Sequence, residues 1–230
     1  MNTGQTKGLV KIGGRLALLG MIAALASALA MAASGFGYRL DLWHFRTGFT
    51  IIRWSFWIGA GAVAVSLLGL ILSKGKPPRV LAVALMGIAV GVATVYIPWS
   101  WKRALDAHPY IHDITTDILN PPAFVAVKAL RKEGDNPAEY DGPEVAAQQR
   151  EAYPEIVTQI VAADAAAGRI EATHTSLFYG FKDDIVVRVE AEGSGARVDV
   201  RSKSRVGRSD VGQNAKRIRT FIRKFRANLA

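Results

Sequence analysis

The chain of 230 residues contains no cysteine. That excludes disulfides, thiol catalysis and thiolate metal ligands, so any statement about compartment has to come from topology instead. Acidic residues are nearly missing from the first part: Asp41 is the only one up to residue 103, against eleven Lys and Arg. No regular spacing of His, Asp and Glu lays out a metal site. A Ser-His-Asp arrangement, a phosphate-binding loop and a redox motif are likewise missing, and no cofactor is expected. Long apolar runs, finally, are absent after residue 100.

Before residue 100 there are three: Leu16–Phe36, Ile51–Leu72 and Val80–Ile97. Each is about 18–22 residues long, close to the ~20 that a helix needs to cross the hydrocarbon core of a bilayer. A helix satisfies its own backbone hydrogen bonds, which lipid requires. The formal charge of +10 would favour nucleic acid if it lay on a soluble domain. It does not: residues 1–103 carry all of it, and residues 104–230 are neutral, with eighteen basic and eighteen acidic groups. Nucleic acid is therefore not an expected partner, and the lipid bilayer is.

The excess reads as a topology signal. Lys7, Lys11 and Arg15 precede the first span, and Lys74, Lys76 and Arg79 fill the turn between the second and third. The positive-inside rule puts both groups in the cytoplasm. Three crossings then place residues 104–230 on the far side. All five tryptophans (Trp43, Trp54, Trp57, Trp99 and Trp101) fall at the opposite span ends, as an aromatic belt on the outer face does. Arg39, Arg46, Lys102 and Arg103 run against the charge rule. A second reading takes the first span as a cleavable signal peptide, with Ala28 and Ala30 as an A-x-A-like site; its apolar run is longer than a usual signal core.

Gly87 and Gly91 in the third span, with Gly59, Gly61 and the Ala60, Ala64 pair in the second, give smooth helix faces. Such faces let helices approach closely, either within this chain or in a larger membrane-protein complex or homo-oligomer. Arg53 lies near the outer end of its span and snorkels to the headgroups. No other charge lies deep in a span, so transport and proton relay lack residues to carry them.

Residues 104–230 read as a small α+β domain. Asn120-Pro121-Pro122 predicts a helix start, running through Phe124, Val127 and Leu130 to Gly134. Pro143 and Pro154 each restart a helix, the second placing Ile156, Val157, Ile160 and Val161 on one face before Gly168. Strands are expected at Ile170–Phe178, Asp184–Glu190 and Arg197–Lys203. Centring a hairpin on Glu192-Gly193-Ser194-Gly195 sets Val189 against Val198 and Val187 against Val200. The same register sets Glu190 opposite Arg197, Arg188 opposite Asp199, and Asp184 opposite Lys203. Two apolar and three opposite-charge pairs from one register favour it over its neighbours. A last helix spans about Asp210 to Leu229, with Val211, Ala215, Ile218, Phe221, Ile222 and Phe225 as its apolar stripe.

Two polar clusters are candidate sites. The segment Arg201–Asn214 joins a strand to a basic helix, and a helix start offers free N–H groups to anions. Arg201, Ser202, Ser204, Arg205, Arg208, Ser209 and Asn214 are its candidate anion-binding residues. The alternative is that Ser209 or Asp210 caps the helix while the arginines pair internally. Residues 104–192 carry a net −9 and residues 193–230 a net +9. The second cluster is His112, Asp113 and Asp117, a histidine beside carboxylates that general base chemistry would need, or a turn whose side chains cap backbone groups.

The run His112-Asp113-Ile114-Thr115-Thr116-Asp117, followed by Asn120-Pro121-Pro122 and by Asp183-Asp184 with Val187-Arg188-Val189, resembles one family. So does Val198-Asp199-Val200-Arg201-Ser202-x-Ser204-Arg205-x-Gly207-x-Ser209-Asp210-x-Gly212-x-Asn214 with Arg217-Ile218-Arg219. Together these are similar to the domain of unknown function 1499, over roughly residues 108–228. The resemblance implies no activity, cofactor or catalytic residue. It does imply that the two polar clusters meet, through Asp113 or Asp117 and an arginine, and that such domains occur behind membrane segments in bacteria. The expected architecture is three transmembrane helices over residues 1–103 and an extracytoplasmic α+β domain with an antiparallel sheet over 104–230. The expected place is a bacterial inner membrane, with the N-terminus cytoplasmic and the C-terminal domain periplasmic. Two functions fit: a non-enzymatic domain that binds or positions a membrane-protein complex, an anionic lipid or another anionic envelope ligand, and a hydrolase-like enzyme on envelope lipid using His112 with Asp113 or Asp117.

Overall fold

A computed structural model describes residues 3–74, 76–156, 160–162 and 168–228. The chain divides into two compact units, Met1–Arg103 with Phe178–Gly180, and Ala104–Leu177 with Phe181–Ala230.

The first unit is built on α1 (Thr3–Arg39), α2 (Phe45–Ser73) and α3 (Pro78–Asp106). All three are long and apolar enough to cross a membrane. His44 opens α2 by accepting a hydrogen bond from the Arg46 backbone N–H through Nδ1 at 3.3 Å. The glycines explain the packing. A Cβ on Gly69 would lie 2.5 Å from the Ala17 backbone nitrogen of α1, and one on Gly87 would lie 3.0 Å from Met21. A Cβ on Gly91 would meet the Gly59 carbonyl oxygen at 2.9 Å. These small residues are therefore used by the three helices against each other, as close backbone approach in lipid demands. Gly61 differs, with open space around it.

The second unit is an antiparallel sheet carrying one helix on its apolar face. Its strands are β1 (Asp113–Thr115), β2 (Ile160–Ala162), β3 (Arg169–Thr175), β4 (Lys182–Glu192) and β5 (Gly195–Ser204). The order is β1-β5-β4-β3, with β2 also pairing β5. The expected hairpin register holds at every pair: Val189 with Val198, Val187 with Val200, Glu190 with Arg197, Arg188 with Asp199, and Asp184 with Lys203. Val187, Val198 and Val200 pack with Ile111, Ile114, Tyr153, Ile156, Ala215, Ile218 and Ile222 in the main core. The last three belong to α5 (Gln213–Ala227), whose stripe from Ala215 onward was legible by its spacing; the helix starts three residues later than expected, so Val211, at φ 55° in the preceding turn, is not part of it.

Two expected helices are corrected. The segment after Asn120 is extended and holds only a 3-10 helix, Ala126–Leu130. Its backbone is satisfied from outside: the Glu171 carboxylate accepts the Val125 and Val127 N–H groups, and Arg201 and Arg205 donate to the Pro122 and Leu130 carbonyls. After Pro154 there is a turn through Ile156, and Ile160–Ala162 is strand β2 rather than helix. It pairs with Ala196–Val198, giving that end of β5 a second neighbour. Val157 and Leu229 lie outside the described residues. The helix at Pro143 does form, as α4 (Pro143–Ala152).

Candidate functional site

Strand alternation sends Val187, Val198 and Val200 to α5 and their neighbours to the other side of the sheet. That other side is ionic, and it is buried. Arg201 is 1% exposed, while Lys203, Asp113, Asp184 and Asp199 are 0% exposed. Such charges persist in an interior only when paired and hydrogen-bonded. Here they are. Arg201 forks onto Asp113, Nε to Oδ1 at 2.8 Å and Nη2 to Oδ2 at 2.7 Å, and also donates to the carbonyls of Pro122 and Ala138. Lys203 reaches Asp113 at 3.2 Å and Asp141 at 2.6 Å. Asp184 takes Arg205 at 2.8 Å and Arg131 at 2.9 Å. Asp199 takes Arg188 at 2.7 Å and Arg197 at 3.0 Å, and Arg188 bridges to Asp117 at 3.1 Å. Phe124 stacks beneath the Arg201 guanidinium, 4.6 Å from its ring centre.

This places β1 against β5 and brings the two sequence clusters together, with Asp113 on Arg201 as the resemblance implied. Gln149 of α4 extends the ladder: its side-chain oxygen accepts the Thr115 N–H at 3.0 Å and its amide donates to the Thr115 carbonyl at 2.6 Å. A second network sits on the α5 side. Asn214 accepts from Ser202 at 2.7 Å and donates to the His112 carbonyl at 2.9 Å and to Ser204 at 3.1 Å. Arg217 donates to Ser202 and to Asp183, both within 2.8 Å. Asp210 caps α5 from just before it, accepting the Gly212 N–H at 2.9 Å and the Asn214 N–H at 2.6 Å. Burial raises the Asp210 carboxyl above its ordinary range, and those backbone bonds oppose the rise.

The candidate residues thus divide. Arg201 and Arg205 give their guanidiniums to internal carboxylates and carbonyls; Ser202, Ser204 and Asn214 are buried in the α5 network. Ser209 accepts the Val211 N–H at 3.2 Å. Arg208 is exposed, and its side chain makes no ion pair among the described residues. Asp117 accepts the Leu119 and Asn120 N–H groups through Oδ1 as well as Arg188 through Oδ2. Every carboxylate oxygen of Asp113 and Asp117 is thus already engaged by an internal donor. His112 is mostly buried, its Nε2 lying 3.4 Å from Asp141 Oδ2 without a hydrogen bond. Burial holds its pKa below the ordinary 6.5, against the opposing pull of Asp141. The Tyr140 hydroxyl is also buried without a partner, and burial beside Asp113 pushes it up to about 12.

Asp141, Tyr140 and Glu171 were not singled out in the sequence. They sit in a polar loop and on an ordinary-looking strand, and only the fold brings them to Lys203, Arg201 and the 3-10 segment. Among the described residues there is no cluster of three or more His, Cys, Asp or Glu positioned to hold a metal.

Three helices long and apolar enough to cross a membrane, followed by a sheet domain with a buried ion layer, describe a membrane-associated chain with an appended small domain. Residues 113–225 match the family model described as protein of unknown function (DUF1499), which is consistent with a DUF1499 domain behind the N-terminal helices. No curated protein and no solved structure matches it.

Proposed function

We propose that this is a non-enzymatic, membrane-anchored domain that binds an anionic component of the cell envelope on the periplasmic side of a bacterial inner membrane. The observation that carries the reading is what the ion layer leaves over. Lys216, Arg223, Lys224 and Arg226 are exposed on α5 and make no ion pair among the described residues. The helix contains no acidic residue, and at 100° per residue Lys216, Arg223 and Lys224 lie more than about 100° from the centre of the Ala215, Ile218 and Ile222 arc, while Arg226 falls near that arc, exposed in the last turn. Arg208 adds a fifth free cation in the loop that leads to the helix. The remaining members of the Arg201–Asn214 block act as the platform that holds these groups. The periplasmic placement rests on the lysines and arginines flanking the spans and on the tryptophans at their other ends.

The test is purification of the full chain at low ionic strength, with bound species identified by mass spectrometry. An acidic species retained by the wild type, released at about 1 M salt where screening acts within ~3 Å, and missing from a K216Q/R223Q/K224Q/R226Q variant supports the reading. The same bound profile in the variant overturns it. So does a stoichiometric protein partner that ignores both salt and these four substitutions.

A further inference from the structure

In the helical unit, α2 and α3 touch at Gly59 and Gly91, where only glycine allows the backbones to approach. Beside that contact Ala60 has only a methyl to offer, and a groove of about 480 Å³ opens between it and Val63, Val92, Val95, Tyr96 and Trp99. The volume falls within the ~300–1,000 Å³ of small-molecule sites. Its lining is almost wholly apolar. At one end stands Arg103, one helical turn beyond Trp99, with its guanidinium 4.9 Å from the centre of the indole ring. It is exposed and makes no ion pair among the described residues.

We propose that this groove binds one acyl chain of a glycerophospholipid whose anionic headgroup is held by Arg103. The dimensions fit one leaflet. From Val92 to Trp99 the helix rises about 10.5 Å at 1.5 Å per residue, most of the ~15 Å that is half of a hydrocarbon core. Trp99 and Tyr96 sit at the end of the span, where indole and phenol rings prefer the interface. Arg103 follows about 6 Å further on, at the depth of the phosphates. Bulk lipid wets every exposed helix face. This face differs in being concave, in carrying a cation at its mouth, and in having that cation oriented by an aromatic ring. The site is independent of α5, because burial of the chain holds the lipid and salt does not release it.

Native mass spectrometry of the full chain, with phosphatidylglycerol and phosphatidylcholine as probes, tests the site. One phosphatidylglycerol is expected to remain per chain at about 1 M salt, and at low ionic strength it is expected to bind in preference to phosphatidylcholine. Ala60→Phe fills the groove and is expected to reduce retention of both lipids about tenfold, the equivalent of roughly two methylenes leaving an apolar contact. Arg103→Gln is expected to erase the preference and leave retention. Undiminished lipid on the Ala60→Phe chain overturns the groove, and equal binding of both lipids by the wild type overturns the role of Arg103. If Ala60→Phe does not fold, the wild type is cross-linked to phosphatidylglycerol carrying a photoreactive acyl chain. Label concentrated at Val63, Val92 and Tyr96 supports the site, and label spread evenly over the helices refutes it.

Discussion

Replacing Asp113 by Asn keeps the outline of the side chain and removes one charge from the most enclosed part of the sheet. Arg201 loses a two-point contact at 2.7 and 2.8 Å, and Lys203 loses a carboxylate at 3.2 Å. Both cations stay buried. Breaking such a pair from one side costs about 3–5 kcal/mol, because the surviving charge is left without compensation. Arg201 keeps the Pro122 and Ala138 carbonyls, and Lys203 keeps Asp141 and the Glu139 carbonyl. That retained solvation puts the expected cost at the lower end, about 3 kcal/mol, within a total stability of about 5–15 kcal/mol. For a domain of this size the melting temperature falls on the order of 10 °C. Thermal melting of the full chain in detergent, with hydrogen exchange at Asp113–Thr115 and Arg201–Lys203, reads it. The D113N/R201Q double variant removes the stranded charge as well, so its cost falls short of the sum of the single costs by about 0.5–3 kcal/mol. A loss below about 1 kcal/mol for Asp113→Asn, the range of an exposed pair, or strict additivity in the double variant, would refute the reasoning.

Acidification should weaken the domain through His112. Its pKa in the fold lies below the ordinary 6.5, so between those values the unfolded chain binds the extra proton and stability rises with pH. The contribution is lost as pH falls from about 6.5 through the folded value, and His112→Gln should flatten that slope in melts taken across pH. Gly69→Leu should force α1 and α2 apart at a cost of about 1–3 kcal/mol, seen as a lower melting temperature of the helical unit, while Gly61→Leu, with open space around it, changes little. Ile218→Ala empties a fully buried core position and should cost about 2–5 kcal/mol. Exposed Lys216→Ala on the same helix should stay within about 0.5 kcal/mol, and equal effects would contradict the assigned faces.

Where structure is written locally, the sequence discloses it. The β4–β5 hairpin was legible because valines and opposite charges agree on one register across a short turn. α5 was legible because its apolar positions recur at helical spacing. The segment after Asn120 was not, because what replaces its helix is remote: Glu171, Arg201 and Arg205 bring in partners from 44 to 79 positions away. β2 was misread for a related reason, since Ile and Val suit a helix face as well as a strand and only the edge of β5 decides. At the candidate site, the meeting of Asp113 with the arginine block could be anticipated. That the arginines pair inward was one of the two readings left open, favoured by the opposite net charges of residues 104–192 and 193–230; the run itself does not decide, because it looks alike whether its carboxylates sit on a ligand or on the other side of the same sheet.

The pairing of β1 with β5 also sets a timetable. Asp113 and Arg201 are 88 positions apart, and at ~5–20 residues per second a ribosome takes roughly 4–18 s to cover that distance. Throughout that interval Asp113 has no cation to meet, and the first strand of the domain waits. Long-range closure of this kind makes assembly slow. The β4–β5 hairpin can form as it emerges, but the ion layer closes only when both ends of the domain are present. A chain halted before Arg201 would leave its membrane helices carrying an unfolded tail, a target for proteolysis with none of the finished domain's surface.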